Sequence, residues 1–419
     1  MFLHTLMATY TRLFAFVSLV LITAIYCTPV AKANKKFRSL KAAIKTGQNL
    51  DAAIRLVSEL ESDSTIVKIQ DKVQLAQYGF DLYTKQFERE NELNYLKRSY
   101  DTVRYFNAIY GMSTYAARCY ALETQPDDRG RAKIQHSPTN HSKLSRIATN
   151  LSSAAIFHYN KQDHHQAARF FARYFTLNES PLFQAYGKFK YTQPLSSTAY
   201  IAAHTYAVLD SLSQTLYYGQ LALADTTHRI MTYRLLANVL YHAADTTQYI
   251  NTLQEALTLY PQDTYFFSHL SDAYLAQGHY TQVLQMADSL TMHYPKQSLY
   301  LYVKSVALLK LQRYKECITF SEQVLASDSA NDSIFVDAYY NIGYSYYMQA
   351  ESLPNNALRL AERQKNLKAR NALYAAARPS LEIYRQRRKE QRELWYPLLY
   401  TIYYNLNLGQ ELQDLEENH

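Results

Sequence analysis

The segments YRLLANVLYHAADTTQYINTLQEALTLYP (residues 233–261) and FSHLSDAYLAQGHYTQVLQMADSLTMHYP (residues 267–295) decide the fold. They share few identical letters. Yet each opens on a large residue (Tyr233, Phe267), carries a small one four places on (Ala237, Ser271) and closes on Tyr-Pro, 34 residues apart. With the closing proline numbered 32, the frame runs through four consecutive units without an insertion. Position 8 is Ala203, Ala237, Ser271 and Ser305, and position 11 is Tyr206, Leu240, Tyr274 and Leu308. Position 27 is Ala222, Ala256, Leu290 and Val324, and position 32 is Thr227, Pro261, Pro295 and Ser329. Self-similarity at a fixed period signals units that bury their apolar faces against one another. Small residues are needed where helices cross closely, and proline stops a helix because it lacks an amide donor and clashes with the preceding turn.

This pattern resembles the tetratricopeptide (TPR) family, a helix-turn-helix repeat whose frame is large at 4, small at 8, aromatic at 11, small at 20 and 27, and Pro at 32. Gly278 and Tyr280 add the turn glycine and the aromatic that opens the second helix. The resemblance implies an all-α fold, a TPR-type helical-hairpin solenoid with an irregular N-terminal helical region. It is clearest over residues 196–350. A fifth unit follows, with Tyr339, Ile342, Gly343 and Tyr346 at positions 4, 7, 8 and 11. Upstream, Ala167 and Phe171 stand at positions 20 and 24, and residues 47–60 read as the second helix of a degenerate opening unit. Two kinds of departure predict uneven packing: Thr215, Tyr249 and Val283 replace the usual Ala at position 20, and Lys304 occupies the apolar position 7.

The expected organisation is a signal peptide (1–33), degenerate helical repeats (34–123), a polar connection (124–142), a degenerate TPR unit with its connection (143–195), and the TPR array (196–350). An enlarged turn near SLPNN, a long basic helix and a C-terminal capping helix complete it (351–419). Composition agrees with a helical chain: 419 residues, 48% hydrophobic, only 9 Gly and 10 Pro. Tyrosine is the outlier, at 40 residues against 17 Phe and 1 Trp. The net charge of +8 is modest for the length and interleaved in sign, so no nucleic-acid surface is implied.

At the N-terminus, Arg12 precedes the apolar run Leu13 to Tyr26, and Ala31-Lys32-Ala33 places small residues where signal peptidase reads. Met7 is an alternative start. This reading makes the mature chain exported, periplasmic or associated with the cell envelope, without an integral membrane span. A rival reading lipidates Cys27, and the bulky Tyr26 before it opposes that. Cys119 and Cys317 lie in separate helical patterns and read as small core residues, neither a bridge nor a nucleophile.

No phosphate loop, HExxH, GxSxG or CxxC is present, so no enzyme, cofactor or metal is expected. His158, His164 and His165 invite a metal reading. The repeat frame gives a blander one, with His158 and His164 at positions 11 and 17, where packing aromatics belong. Asp127-Asp128 reads as a solvated turn. Residues 359–392 carry eleven Lys/Arg, which suits either attraction to an anionic surface or a long solvated helix in which Glu362, Glu382, Glu390 and the following Glu393 balance the charge.

The resemblance further implies binding of a peptide segment or protein partner in a concave groove, here within a cell-envelope assembly, with positions 5, 9 and 12 facing that groove. Those positions include Tyr200, His204, Arg234, Asn238, Tyr241 and Tyr302. Tyr340, Tyr344 and Tyr347 form a second stripe beside the packing face of the fifth unit and join the groove set. The alternative is a glycan-binding component of a nutrient-uptake system, with exposed tyrosines stacking on sugar rings.

Overall fold

A computed structural model describes residues 29–126, 130–191, 194–327, 332–354 and 359–417. The apolar run 13–26, Cys27, Asp127-Asp128 and Asn355-Asn356 of the enlarged turn lie outside the described residues. Among the described residues there are helices and no strand, in two compact units, one ending at Val239 and the other starting at Leu240. No described helix is long and apolar enough to cross a membrane.

The first unit begins with α1 (Pro29–Thr46), α2 (Leu50–Glu61), α3 (Ile69–Tyr95) and α4 (Thr102–Glu123). α2 buries Leu50, Ala53, Val57 and Leu60, the face expected of a repeat's second helix. Asp101 starts α4 by accepting from the Arg104 amide at 2.9 Å. The α3–α4 hairpin is closed by a motif that appears in neither helix's hydrophobic pattern: Gly79-x-x-x-Tyr83 on α3 meets Gly111-x-x-x-Tyr115 on α4. A Cβ on Gly79 would lie 2.4 Å from the Tyr115 ring, and one on Gly111 would lie 2.5 Å from the Tyr83 ring. Each tyrosine thus fills the space its partner's glycine leaves empty, and the two rings stack at 5.8 Å.

The unit continues through α5 (Ser137–Ser145), α6 (Asn150–Asn160), α7 (His164–Leu177), α8 (Pro181–Tyr186), α9 (Leu195–Val208) and α10 (Leu212–Ala222), into α11 (Arg229–His242). The two segments read as connections carry structure of their own. In the first, Glu123 is buried and its carboxylate accepts from the amides of Gln135, His136 and Ser137 and from the Ser137 hydroxyl, which starts α5 inside the expected polar stretch. In the second, Asn178 holds Phe189 through both its backbone groups (2.9 and 3.0 Å), and Leu182, Phe183 and Phe189 are buried. Short range polarity concealed both anchors, because the burying partners are distant in sequence.

The second unit takes the remainder of α11, then α12 (Thr246–Leu259), α13 (Thr264–Ala276), α14 (Tyr280–His293), α15 (Ser298–Lys310), α16 (Tyr314–Leu325), α17 (Asp332–Glu351), α18 (Leu360–Arg387), α19 (Arg392–Asn405) and α20 (Gly409–Glu417). The end of the chain, read as one terminal helix, is a pair turning at Asn407.

The 34-residue frame is visible in the backbone. Position 15 is left-handed in every array unit, at Asp210, Ala244, Gly278 and Gln312 (φ 52° to 76°), and also at Gln162 upstream. At each, the amide of the next residue reaches back to the carbonyl of position 11, as in Asp245 to Leu240 (3.1 Å) and Arg313 to Leu308 (2.9 Å). The residue after the turn caps the next helix at Asp163 and Asp245. Before Pro261 and Pro295, Tyr260 and Tyr294 leave the helical region in the same way (φ −130°, ψ 65° and φ −129°, ψ 66°).

Packing follows the same frame. The position 8 residues Ala203, Ala237, Ser271 and Ser305 are all fully buried, and a Cβ on Gly343 would lie 2.5 Å from Leu381. Of the irregular residues, Tyr249 is buried with its hydroxyl on His269 Nδ1 (3.1 Å). Lys304 lays its ammonium 3.7 Å over the Phe320 ring and pairs with Asp288 at 2.8 Å. Cys119 and Cys317 are unpaired and fully buried, and burial pushes the Cys119 thiol up to about 12.

Candidate functional site

In the first unit, the residues expected in a groove lie on α9 and α11. Tyr200 stacks on His228 at 4.7 Å, and His228 is fixed by Asp225 at 2.7 Å. His204 contacts the Tyr159 hydroxyl at 3.3 Å, and burial, then the nearby His164, hold its pKa below the usual imidazole value. Arg234 is half-buried and Asn238 is exposed. His158 stacks on Phe170 at 5.4 Å, a packing role, and no group of three or more His, Cys, Asp or Glu among the described residues could hold a metal ion.

In the second unit the tyrosines divide. Tyr241 is 64% exposed, with its ring 5.6 Å from Tyr249. Tyr249 bonds His269, whose ring lies 4.2 Å from Tyr265, so four rings from α11, α12 and α13 form one patch. Asp272 adjoins it. Partial desolvation raises its carboxyl above the usual range, opposed by His269.

The other groove candidates of this unit are drawn into packing. Tyr302 is half-buried beside Asp337, which pairs with Arg388 at 3.7 Å, and burial raises the Tyr302 hydroxyl. Tyr340 stacks on Tyr344 (5.5 Å) and meets Tyr384 of α18 (5.0 Å), while Tyr347 meets Tyr374 (5.9 Å). All three line the core formed with α18 and α19, which leaves only part of each ring to a partner. The sequence could not show this, since the helix covering them begins after the enlarged turn.

Tyr265, His269 and Asp272 were not singled out from the sequence. Asp272 stands at position 9 of the same frame, so that signal was present. A hollow of about 700 Å³ in the first unit was also missed; Tyr83, Tyr110 and Tyr115 line it, and Arg169 sits 3.9 Å over the Tyr110 ring. No repeat register covers that region. The basic run 359–392 is partly structural: Arg370 donates to the Ala350 and Leu353 carbonyls, Arg378 binds Glu382 and Glu411, and Arg388 binds Asp337 and Ser333.

No protein-family model matches the chain, and no curated protein matches it. Among solved structures it is similar to MamA from Desulfovibrio magneticus RS-1, at 10% identity over 45% of this chain and 97% of that one, with a TM-score of 0.30. A TPR repeats protein from Bacteroides fragilis NCTC 9343 is 13% identical over 61% of this chain and 98% of that one, at 0.32. The TPR domain of P58(IPK) is 12% identical over 93% of this chain and all of that one, at 0.25. Scores of this size carry no argument on their own. The repeat type rests on the hairpins: a period of 34 residues, a buried small residue at position 8 and a left-handed turn at position 15. These are TPR-type helical hairpins.

Proposed function

We propose that this chain is a binding scaffold rather than an enzyme, and that it holds a peptide segment or protein partner on the faces of its hairpins. The carrying observation is the patch of Tyr241, Tyr249, Tyr265 and His269 with Asp272 beside it. Tyrosine presents a rigid apolar ring with a polar tip, the combination that anchors interfaces at low entropy cost. Asp272 lacks the electrostatic relief a carboxylate seeks, so a basic side chain or peptide amide placed there would lower its pKa and gain affinity. The small-before-Ala33 pattern of the N-terminus supports export, with action in a cell-envelope assembly.

Cross-linking in the native envelope, followed by recovery of the wild-type chain and of a Tyr241→Ala/Tyr265→Ala variant, tests the reading. A recovered protein that falls at least tenfold in the variant, at unchanged melting temperature, supports it; equal recovery overturns it. Retention on a glycan array that depends on the same two tyrosines would replace the peptide with a saccharide. Cell fractionation and N-terminal sequencing of the mature chain test export.

A further inference from the structure

The structured half of the basic run leaves three cations that no packing role absorbs. Arg385, Lys389 and Arg392 surround a hollow of about 680 Å³ at the corner where α18 ends and α19 begins, floored by Trp395 and Tyr403. The acid on its wall, Glu382, is already engaged: it accepts from Arg378 at 2.7 Å and from the Tyr403 hydroxyl at 2.9 Å. Among the described residues, none of the three cations has a carboxylate within ion-pair distance. Two of the group lean on rings instead, Arg385 at 5.4 Å over Trp395 and Arg392 at 4.4 Å over Tyr396.

Helix electrostatics account for only part of this charge. Arg385 lies in the last turn of α18, where the C-terminal end of a helix dipole, equivalent to about half a charge, favours a cation. Arg388 also caps that end but is spent on Asp337 and Ser333. Arg392 is the first residue of α19, where the dipole is positive and a cation is unfavourable, and the Gln391 side chain caps none of the first-turn amides. An anion in the hollow would be attracted by the three side chains and by that helix start together.

We infer that this hollow binds a multiply charged phosphate group, free or as a lipid headgroup. Two guanidinium forks match the edges of a tetrahedral oxyanion, the ammonium adds a point charge, and the volume falls in the range of small-ligand sites. The inference stands apart from the proposed peptide-binding patch, which shares none of these residues.

Trp395 is the chain's single tryptophan and is 4% exposed in the floor of the hollow, so it reports on the site without labelling. The full chain is titrated with inorganic pyrophosphate at low salt, reading tryptophan emission and, in parallel, calorimetric heat. Saturable binding that weakens with added salt is expected, and a variant Arg385→Gln/Lys389→Gln/Arg392→Gln should lose at least tenfold in affinity. A charge-matched control, Arg363→Gln/Lys365→Gln/Lys368→Gln, alters exposed cations of the same helix and should bind as the wild type does. Absence of binding by both readouts, or an equal loss in both triple variants, overturns the site. Cosedimentation with phosphatidylglycerol vesicles, against phosphatidylcholine vesicles, separates the sources. Vesicle binding that the site variant abolishes and pyrophosphate displaces assigns a headgroup; pyrophosphate binding without vesicle binding assigns a free phosphate.

Discussion

The α3–α4 hairpin of the first unit and the 34-residue hairpins of the array both bring helices into close approach, and they do so by different means. In α3–α4 the space is made by glycine and refilled by a tyrosine from the facing helix, so the two Gly-x-x-x-Tyr segments lock one register. In the array the space is made by Ala or Ser at position 8 and the next hairpin fills it, so register is set by the period. A glycine-tyrosine lock specifies one pair of helices strongly. A small-residue stripe specifies each crossing less strictly, and this tolerates Tyr249 and Lys304 at positions where the frame asks for other residues.

The difference predicts unequal sensitivity. Gly111→Ala drives a methyl group into the Tyr83 ring and should cost about 3 kcal/mol, measured by chemical denaturation, with partial recovery in Gly111→Ala/Tyr83→Leu. A cost that the second substitution does not relieve would break the lock. Ala237→Leu overfills a position 8 site and should cost about 2 kcal/mol; an unchanged denaturation midpoint would remove the frame.

The turn at position 15 sharpens the comparison at smaller amplitude. Gly278 has φ 76° and open space around its missing Cβ, so Gly278→Ala isolates the backbone cost, about 1 kcal/mol. The reverse change at the equivalent turn, Ala244→Gly, should gain about 0.5 kcal/mol, and a loss there would mean the left-handed turn is not the common element. The weakest effect is on pH. His204 is held below its unfolded pKa by burial and His164, so its contribution is present above the unfolded value and lost as pH falls through the folded one. Melting temperature should therefore drop more between pH 7 and 5 in the wild type than in His204→Gln; identical profiles would show that the imidazole is not desolvated.

How much was legible depended on whether a residue's partner shared its period. Position 8 and the Tyr-Pro stops were readable because the same requirement recurs every 34 residues. The turn was half readable: Gly278 announces a left-handed residue, whereas Asp210, Ala244 and Gln312 adopt the same conformation without an obvious sequence mark. Of the groove residues, Tyr241 is open as expected of its position, while Tyr340, Tyr344 and Tyr347 share a helical stripe but face a helix that starts beyond the repeat.

The sequence by itself determined the helical class, the period, the crossing points and where each array helix stops, because these follow from local spacing and from the sterics of glycine, alanine and proline. Only the tertiary structure decided that Glu123 anchors the start of α5, that Tyr83 and Tyr115 cover Gly111 and Gly79, and that Arg370, Arg378 and Arg388 are bound while Arg385, Lys389 and Arg392 ring a hollow. Each depends on a partner brought from another helix. Charge and ring size are written in the sequence, but the neighbour that neutralises or buries them is fixed by packing.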